Sequence, residues 1–271
     1  MNLPTDVLSG PTGVDTSAPL ARANPTAKLA VAAVVSVALV LTTDVVTAGV
    51  ALLLVLACLP WCGLGPRELW RRGWVLLVAA APTGVFTALL GVDSGAVLVP
   101  LGPLDVTEGS ALAAVAVVMR ILAIGLPGVV LLATTDPTDL ADSLAQDLRL
   151  PHRFVLSALA AMRLLGVLAE EWTALGQARR ARGLGDEGLV GRLRGFAGQL
   201  FALLVLAVRR ATVLATAMEA RGFGLVRERT WARPSRFGPW DVAVVLGGLL
   251  LAGTATAAGV AAGTWQLVLA G

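Results

Sequence analysis

The sequence predicts an all-α membrane protein with about five transmembrane helices and long cytoplasmic helices in an L-shaped arrangement. Three observations predict it. The 271 residues are 56% apolar and 14% charged, against about 25% charged in a soluble domain, and the mean hydropathy is +0.80. Several apolar runs are long enough for a bilayer crossing, which takes roughly 20 helical residues. The charge is concentrated: residues 134–238 hold 15 Arg against 10 Asp and Glu, whereas 242–271 hold none.

Residues 1–25 are rich in Pro, Thr, Gly, Ser and Asp and have no apolar core. They predict a disordered polar extension, neither a signal peptide nor a structured arm. The region 26–133 predicts four spans. The first runs from Ala27 to Thr43 and turns at Thr42-Thr43-Asp44; the second, 45–60, ends between Pro60 and Pro66. The third, 74–91, contains Pro82 and Gly84, and the fourth is 110–133. The fifth span, 240–270, lies in the C-terminal segment 239–271.

Charge sets the orientation. The loop after span two carries Arg67, Arg71 and Arg72, whereas 92–109 carries Asp93, Asp105 and Glu108 and no basic residue. The positive-inside rule puts the first loop inside and the second outside. The N-terminus and residues 134–238 are then cytoplasmic in a multi-pass protein of the cell (plasma) membrane. Arg229, Arg233 and Arg236 precede the last span, which places the C-terminus outside.

In 134–238, Thr135-Asp136-Pro137-Thr138-Asp139-Leu140 reads as a helix start, with a capping Thr or Asp, an early Pro and acids in the first turn. That helix ends near Arg149-Leu150-Pro151. A second should run from about 152 to Arg182 and a third from about 190 to Arg221. The third has only 12 apolar residues, 197–208, before Arg209-Arg210, which is short for a span. Both long helices are apolar around much of their circumference and should pack on each other or on the bundle.

Both end in the same octamer pattern. Ala178-Arg179-Arg180-Ala181-Arg182-Gly183-Leu184-Gly185 recurs 39 positions later as Ala217-Met218-Glu219-Ala220-Arg221-Gly222-Phe223-Gly224. Each copy puts one arginine on the last turn and a glycine free to take the left-handed cap. An arginine there also complements the helix dipole, for about 0.3–1 kcal/mol. Two copies alike at five positions point instead to paired plugs for sockets on another protein. A guanidinium is a planar fork suited to carboxylates and carbonyls, and the flanking Ala181, Gly183, Ala220 and Gly222 leave the tip slim.

The remaining candidates are weaker. Arg120 lies in the middle of span four, where a charge costs about 2.5–3.5 kcal/mol; it should face protein or snorkel, or touch a partner subunit. Gly259 and Gly263 form G-x-x-x-G, a close-packing surface within the bundle or toward a partner. Cys58 and Cys62 are four apart without a His or acidic neighbour, which falls short of a zinc site. His152 follows Pro151 and has no nucleophile pattern. Asp136, Asp139 and Asp142 share a helical face and read as a capped first turn before they read as metal ligands. The only lysine is Lys28, so no Walker loop for ATP exists in the chain. Basic residues without interleaved aromatics give no support for nucleic-acid binding.

Asn24-Pro25-Thr26-Ala27-Lys28-Leu29, Thr134-Thr135-Asp136-Pro137-Thr138-Asp139-Leu140 and the two Ala-Arg-Gly motifs together resemble the T components of energy-coupling-factor (ECF) transporters, the EcfT/CbiQ/BioN-like proteins. The likeness covers about residues 24–260. It departs at Asn24, where the family often has Asp, and in the polar extension. The resemblance implies a non-catalytic membrane scaffold of an ABC-type importer for vitamins or metal ions. Such a scaffold joins a substrate-binding membrane S component to two separate ABC ATPase subunits, which bind the ATP. It implies that Arg182 and Arg221 dock in ATPase grooves near the Q-loop, and that the chain itself needs no cofactor or metal. A self-contained permease or channel is the alternative, with only Arg120 as a polar midplane residue. A membrane-embedded enzyme would rest on the three aspartates.

Overall fold

The computed structural model describes residues 17–91, 94–99, 106–183, 188–223, 231 and 233–265. Residues 1–16 of the polar extension, Asp93, Asp105, Leu184, Gly185, Gly224 and Arg229 lie outside them. The described chain is all-α apart from one small hairpin. Its helices are α1 (Pro25–Val40), α2 (Val45–Cys58), α3 (Pro66–Leu90), α4 (Glu108–Thr134), α5 (Pro137–Gln146), α6 (His152–Ala181), α7 (Gly188–Ala220) and α8 (Pro239–Ala261). A short 3-10 turn, Leu59–Cys62, extends α2. Strands β1 (Val97–Val99) and β2 (Val106–Thr107) pair antiparallel within the acidic loop expected to be irregular.

The chain divides into two compact units. One is the bundle, described residues 17–143 and 235–265; the other comprises the described residues of 144–234. The division falls ten residues beyond the boundary expected at 134, and the part of α5 that stays with the bundle carries the buried Ala141 and Ser143.

Local chemistry explains the bundle helices. Asn24 caps α1 by accepting from the Thr26 N–H at 2.9 Å, and Pro25 fits the first turn, where no N–H is needed. Asp44 caps α2, its Oδ2 accepting from the Thr47 amide at 2.8 Å and hydroxyl at 2.7 Å. Thr107 and Ser110 form a reciprocal capping box at the start of α4. Asp136 caps α5, accepting from Thr138 N at 2.7 Å; the acidic cluster is thus the helix start that the spacing predicts. Glu68, in the first turn of α3, accepts from Arg71 at 3.0 Å and Arg72 at 2.5 Å.

Packing in the bundle relies on small residues. The core unites Val35 and Leu39 of α1, Ala51 of α2, Ala123 of α4 and Ala255 of α8. On α8, Gly248, Ala252, Ala255 and Gly259 are all buried, spaced 4, 3 and 4 along one face. A Cβ at Gly248 would lie 2.8 Å from Val31 Cγ2, one at Gly84 2.6 Å from Val118 Cγ2, and one at Gly125 2.7 Å from Leu76 Cδ2. Lipid is as apolar as leucine, so close backbone approach supplies the association that water would otherwise drive.

Among the described residues, five helical segments are long and apolar enough to cross a membrane, but they are not the five the sequence suggests. They are 45–62, α3, α4, α7 and α8. Helix α1 has 16 residues, about 24 Å of rise, and is shorter than that measure. Helix α7 meets it, although its apolar run was read as cytoplasmic. The last span is also shorter than expected, because α8 stops at Ala261. The N-terminal extension differs as well: Ala18, Ala23 and Asn24 are buried, and residues 17–24 are held in turns against the bundle where disorder was expected.

Candidate functional site

Both repeat motifs end a helix in the same way. Helix α6 stops at Ala181, Arg182 is its C-cap residue, and Gly183 has φ +70°. Helix α7 stops at Ala220, Arg221 follows, and Gly222 has φ +74°. The Gly183 N–H donates to Arg180 O at 3.0 Å; the Gly222 N–H donates to Glu219 O at 2.9 Å and the Phe223 N–H to Met218 O at 3.0 Å. The second set is a complete Schellman cap. Each arginine therefore sits one residue past the last helical turn, where the sequence places it on that turn. The two glycines carry the left-handed backbone that any side chain would strain. Ala181, Arg182, Gly183, Ala220 and Arg221 are exposed and Gly222 is half-buried. Among the described residues neither guanidinium meets a carboxylate.

Helices α6 and α7 meet through a small set of contacts. Trp172 and Phe196 meet edge to face at 5.5 Å, the Gln199 amide donates to Trp172 O at 2.6 Å, and Arg210 pairs with Glu171. A Cβ at Gly198 would meet Arg179 Nη1 at 3.2 Å. The crossing thus lies near the C-terminus of α6 and in the first half of α7. From Gly198, the 22 residues to Ala220 carry the second tip about 33 Å further along α7. The pair presents a broad apolar surface. Phe154, Leu165, Leu193, Phe201, Leu204 and Val208 are all more than half exposed.

Arg120 is half-buried in the bundle, and its Nε and Nη2 are enclosed without a hydrogen-bond partner. Asp44 Oδ1 is likewise buried and unpartnered. A Cβ at Gly259 would collide with Thr47 Oγ1 and stand 2.5 Å from Asp44 Oδ2. Gly259 therefore seats against the N-terminus of α2. Gly263 does not join them. It has φ +67° and closes α8 through Gly263 N to Val260 O at 3.0 Å and Thr264 N to Gly259 O at 3.2 Å. The G-x-x-x-G pair is thus one packing glycine and one helix terminator, not a common face. Cys58 and Cys62 border an apolar cavity of about 730 Å³ between α1, α2, α4 and α8, with the Cys62 thiol on Cys58 O at 3.4 Å.

Comparison with known proteins bears directly on these motifs. The family model described as CbiQ, cobalt transport protein, matches residues 16–231. The chain belongs to that family. The match takes in the segment 24–29, the start of α5 and both Ala-Arg-Gly helix ends, and it stops before α8. Among CbiQ-like relatives, three proteins are each named energy-coupling factor transporter transmembrane protein EcfT. The one from Exiguobacterium sibiricum is 32% identical over 167 residues, 58% of this chain and 64% of that protein. Those from Limosilactobacillus fermentum and Bacillus subtilis are 29% identical over 189 residues and 30% over 180, covering 67% and 68% of their lengths. The chain thus spans just under two thirds of the Exiguobacterium relative. The resemblance drawn from the motifs stands, and with it an all-α, multi-pass membrane protein.

Sequence reasoning missed Asp44, Thr47, Ser235 and Asp241. Asp44 and Asp241 each stand at the start of an apolar helix, which is a capping signal. Their long-range partners leave no mark in the sequence.

Proposed function

We propose that the protein is the non-catalytic T component of an ECF-type ABC importer. It couples ATP hydrolysis on two separate ABC ATPase subunits to reorientation of a substrate-binding membrane S component, for vitamin or metal-ion uptake. The observation that carries the reading is the duplicated helix end: two long helices of one unit, each closing on an exposed arginine before a left-handed glycine. Arg182 and Arg221 are the docking groups. Ala181, Gly183, Ala220 and Gly222 keep the tips narrow enough for a groove. ATP-driven closure of the ATPases moves the two tips, and α6 and α7 pass that motion to the spans that hold the S component. The N-terminus and both tips face the cytoplasm.

Helix α7 is the point of strain in this reading, since its composition also suits a span. An interfacial or protein-covered α7 keeps both tips on one face of the membrane. The permease alternative rests on Arg120 as its one polar midplane residue, which is thin support for a pore. Cysteines at positions 182 and 221 should both be labelled by an impermeant maleimide only after the membrane is opened. Labelling from opposite faces would refute coupling. In parallel, Arg182→Glu with Arg221→Glu should leave the protein in the membrane, abolish co-purification of the ATPases and stop uptake. Unimpaired uptake by that variant would overturn the assignment.

A further inference from the structure

The chain leaves the bundle after Ser143 and re-enters it at Ser235; its outgoing segment runs from the end of α4 through Thr134 and Thr135 into α5, and these two connections join α6 and α7 covalently to the spans. Both are fastened to the same short segment. The Lys28 ammonium donates to Thr134 O at 3.2 Å, Thr134 Oγ1 at 3.0 Å and Thr135 Oγ1 at 3.4 Å on the outgoing strand. Four residues earlier, Asn24 donates from Nδ2 to Ser235 Oγ at 3.0 Å and from its backbone N–H to Asp241 Oδ1 at 2.6 Å on the returning strand. Asp241 Oδ2 in turn accepts from Gly238 N at 2.7 Å. Asn24 and Asp241 are buried, so these bonds are shielded from water and exchange poorly.

Capping α4 alone would need only a cation near Thr134 O. The observed set does more. Lys28 also donates to Ala21 O at 2.8 Å, Trp240 donates to Pro19 O at 3.1 Å, and Leu20 N donates to Trp61 O at 3.2 Å. The segment before α1 is thereby stitched to α2, α4 and α8 at once. Inside the other unit, Gln146 donates to Arg233 O at 2.9 Å and holds that unit's two ends together as well.

We propose that Asn24 and Lys28 are positioning residues for energy coupling: they clamp the α4–α5 junction at Thr134 and Thr135 and the start of the returning segment at Ser235 and Asp241, so that both connections are anchored to the same span. This rests on the coupling function proposed above. With the clamp cut, the ATPases would still bind and turn over, but their stroke would be absorbed at loosened connections.

The test uses the whole transporter in proteoliposomes and reads two quantities, the ATPase subunits retained and the solute taken up per ATP hydrolysed. Lys28→Met should retain the ATPases and their hydrolysis but lower uptake per ATP by about tenfold, within the usual 5–150-fold range of coupling between sites. Lys28→Arg, which can still donate to Thr134 and Thr135, should recover most of it. If Lys28→Met fails to accumulate, Asn24→Ala with Asp241→Ala removes both the Ser235 tie and the Asp241 tie of the returning side and should lower the same ratio. An unchanged ratio in the severed variants, or loss of ratio only in step with loss of bound ATPase, would overturn the clamp. The double glutamate variant at Arg182 and Arg221 is run beside them. If it retains the ATPases, the coupling function fails; if it loses them while Lys28→Met stays coupled, only the clamp fails.

Discussion

The bundle and the α6–α7 unit are made of similar residues and solve opposite problems. In the bundle, α1, α2, α4 and α8 each bury several residues, and its buried charges, Asp44 and Asp241, serve helix starts and ties. In the α6–α7 unit, the buried positions among the described residues are Ala145, Val155 and Gly195. Large apolar side chains there point outward, and the contacts that join the two helices cluster at one crossing. The difference teaches where each unit gets its stability. The bundle is complete once lipid surrounds it, because its glycines and alanines already let the helices touch. The α6–α7 pair leaves a surface that a monomer in water would not keep, so its order depends on what covers it.

Substitutions should separate the two units sharply. The largest effect is expected at the tips. Each desolvated guanidinium contributes about 1.5–3 kcal/mol, so Arg182→Ala alone should weaken ATPase association about 10–150-fold, measured by co-purification against competing wild-type protein. Next comes Gly259→Leu, whose side chain must displace Thr47 and Asp44; it should cost the bundle at least about 1–3 kcal/mol as overpacking, read as a lower thermal midpoint in detergent. Glu171→Gln breaks a partly exposed pair, with side chains 40% and 29% accessible. It should change stability by no more than about 1 kcal/mol, and salt should shrink the difference further. The smallest effect on stability is expected from Phe201→Ser with Leu204→Ser, within about 0.5 kcal/mol for the isolated chain, yet the same pair should weaken retention of partner subunits. If that pair instead unfolds the isolated protein, α7 is buried by its own chain and the contrast between the units collapses.

Much of this was legible in the sequence. The helices of 134–238 lie within two or three residues of the boundaries that caps and breakers suggest, since Pro137, Pro151 and the Ala-Arg-Gly ends are strong local signals. The duplicated octamer is visible without any structure, and each glycine's cap role follows from it. The N-terminal extension was not legible at residues 17–24. Its polar composition reads as disorder, whereas its order comes from Trp61 and Trp240, partners more than 35 and 200 positions away. Nor was the fate of Gly263: it and Gly259 share a spacing, but only the helix end at Ala261 shows that one packs and the other terminates.

The sequence by itself determined the membrane class, the order of helices and the arginine-tipped ends, because these follow from runs of apolar side chains and from caps that act within a few residues. Tertiary structure alone decided that Arg120 is enclosed without a partner, that Gly259 seats against α2, and that Lys28 and Asn24 hold the α4–α5 junction and the segment into α8. Such pairings depend on which helices approach closely, and that is set by where the whole chain places its small residues, not by any window of it.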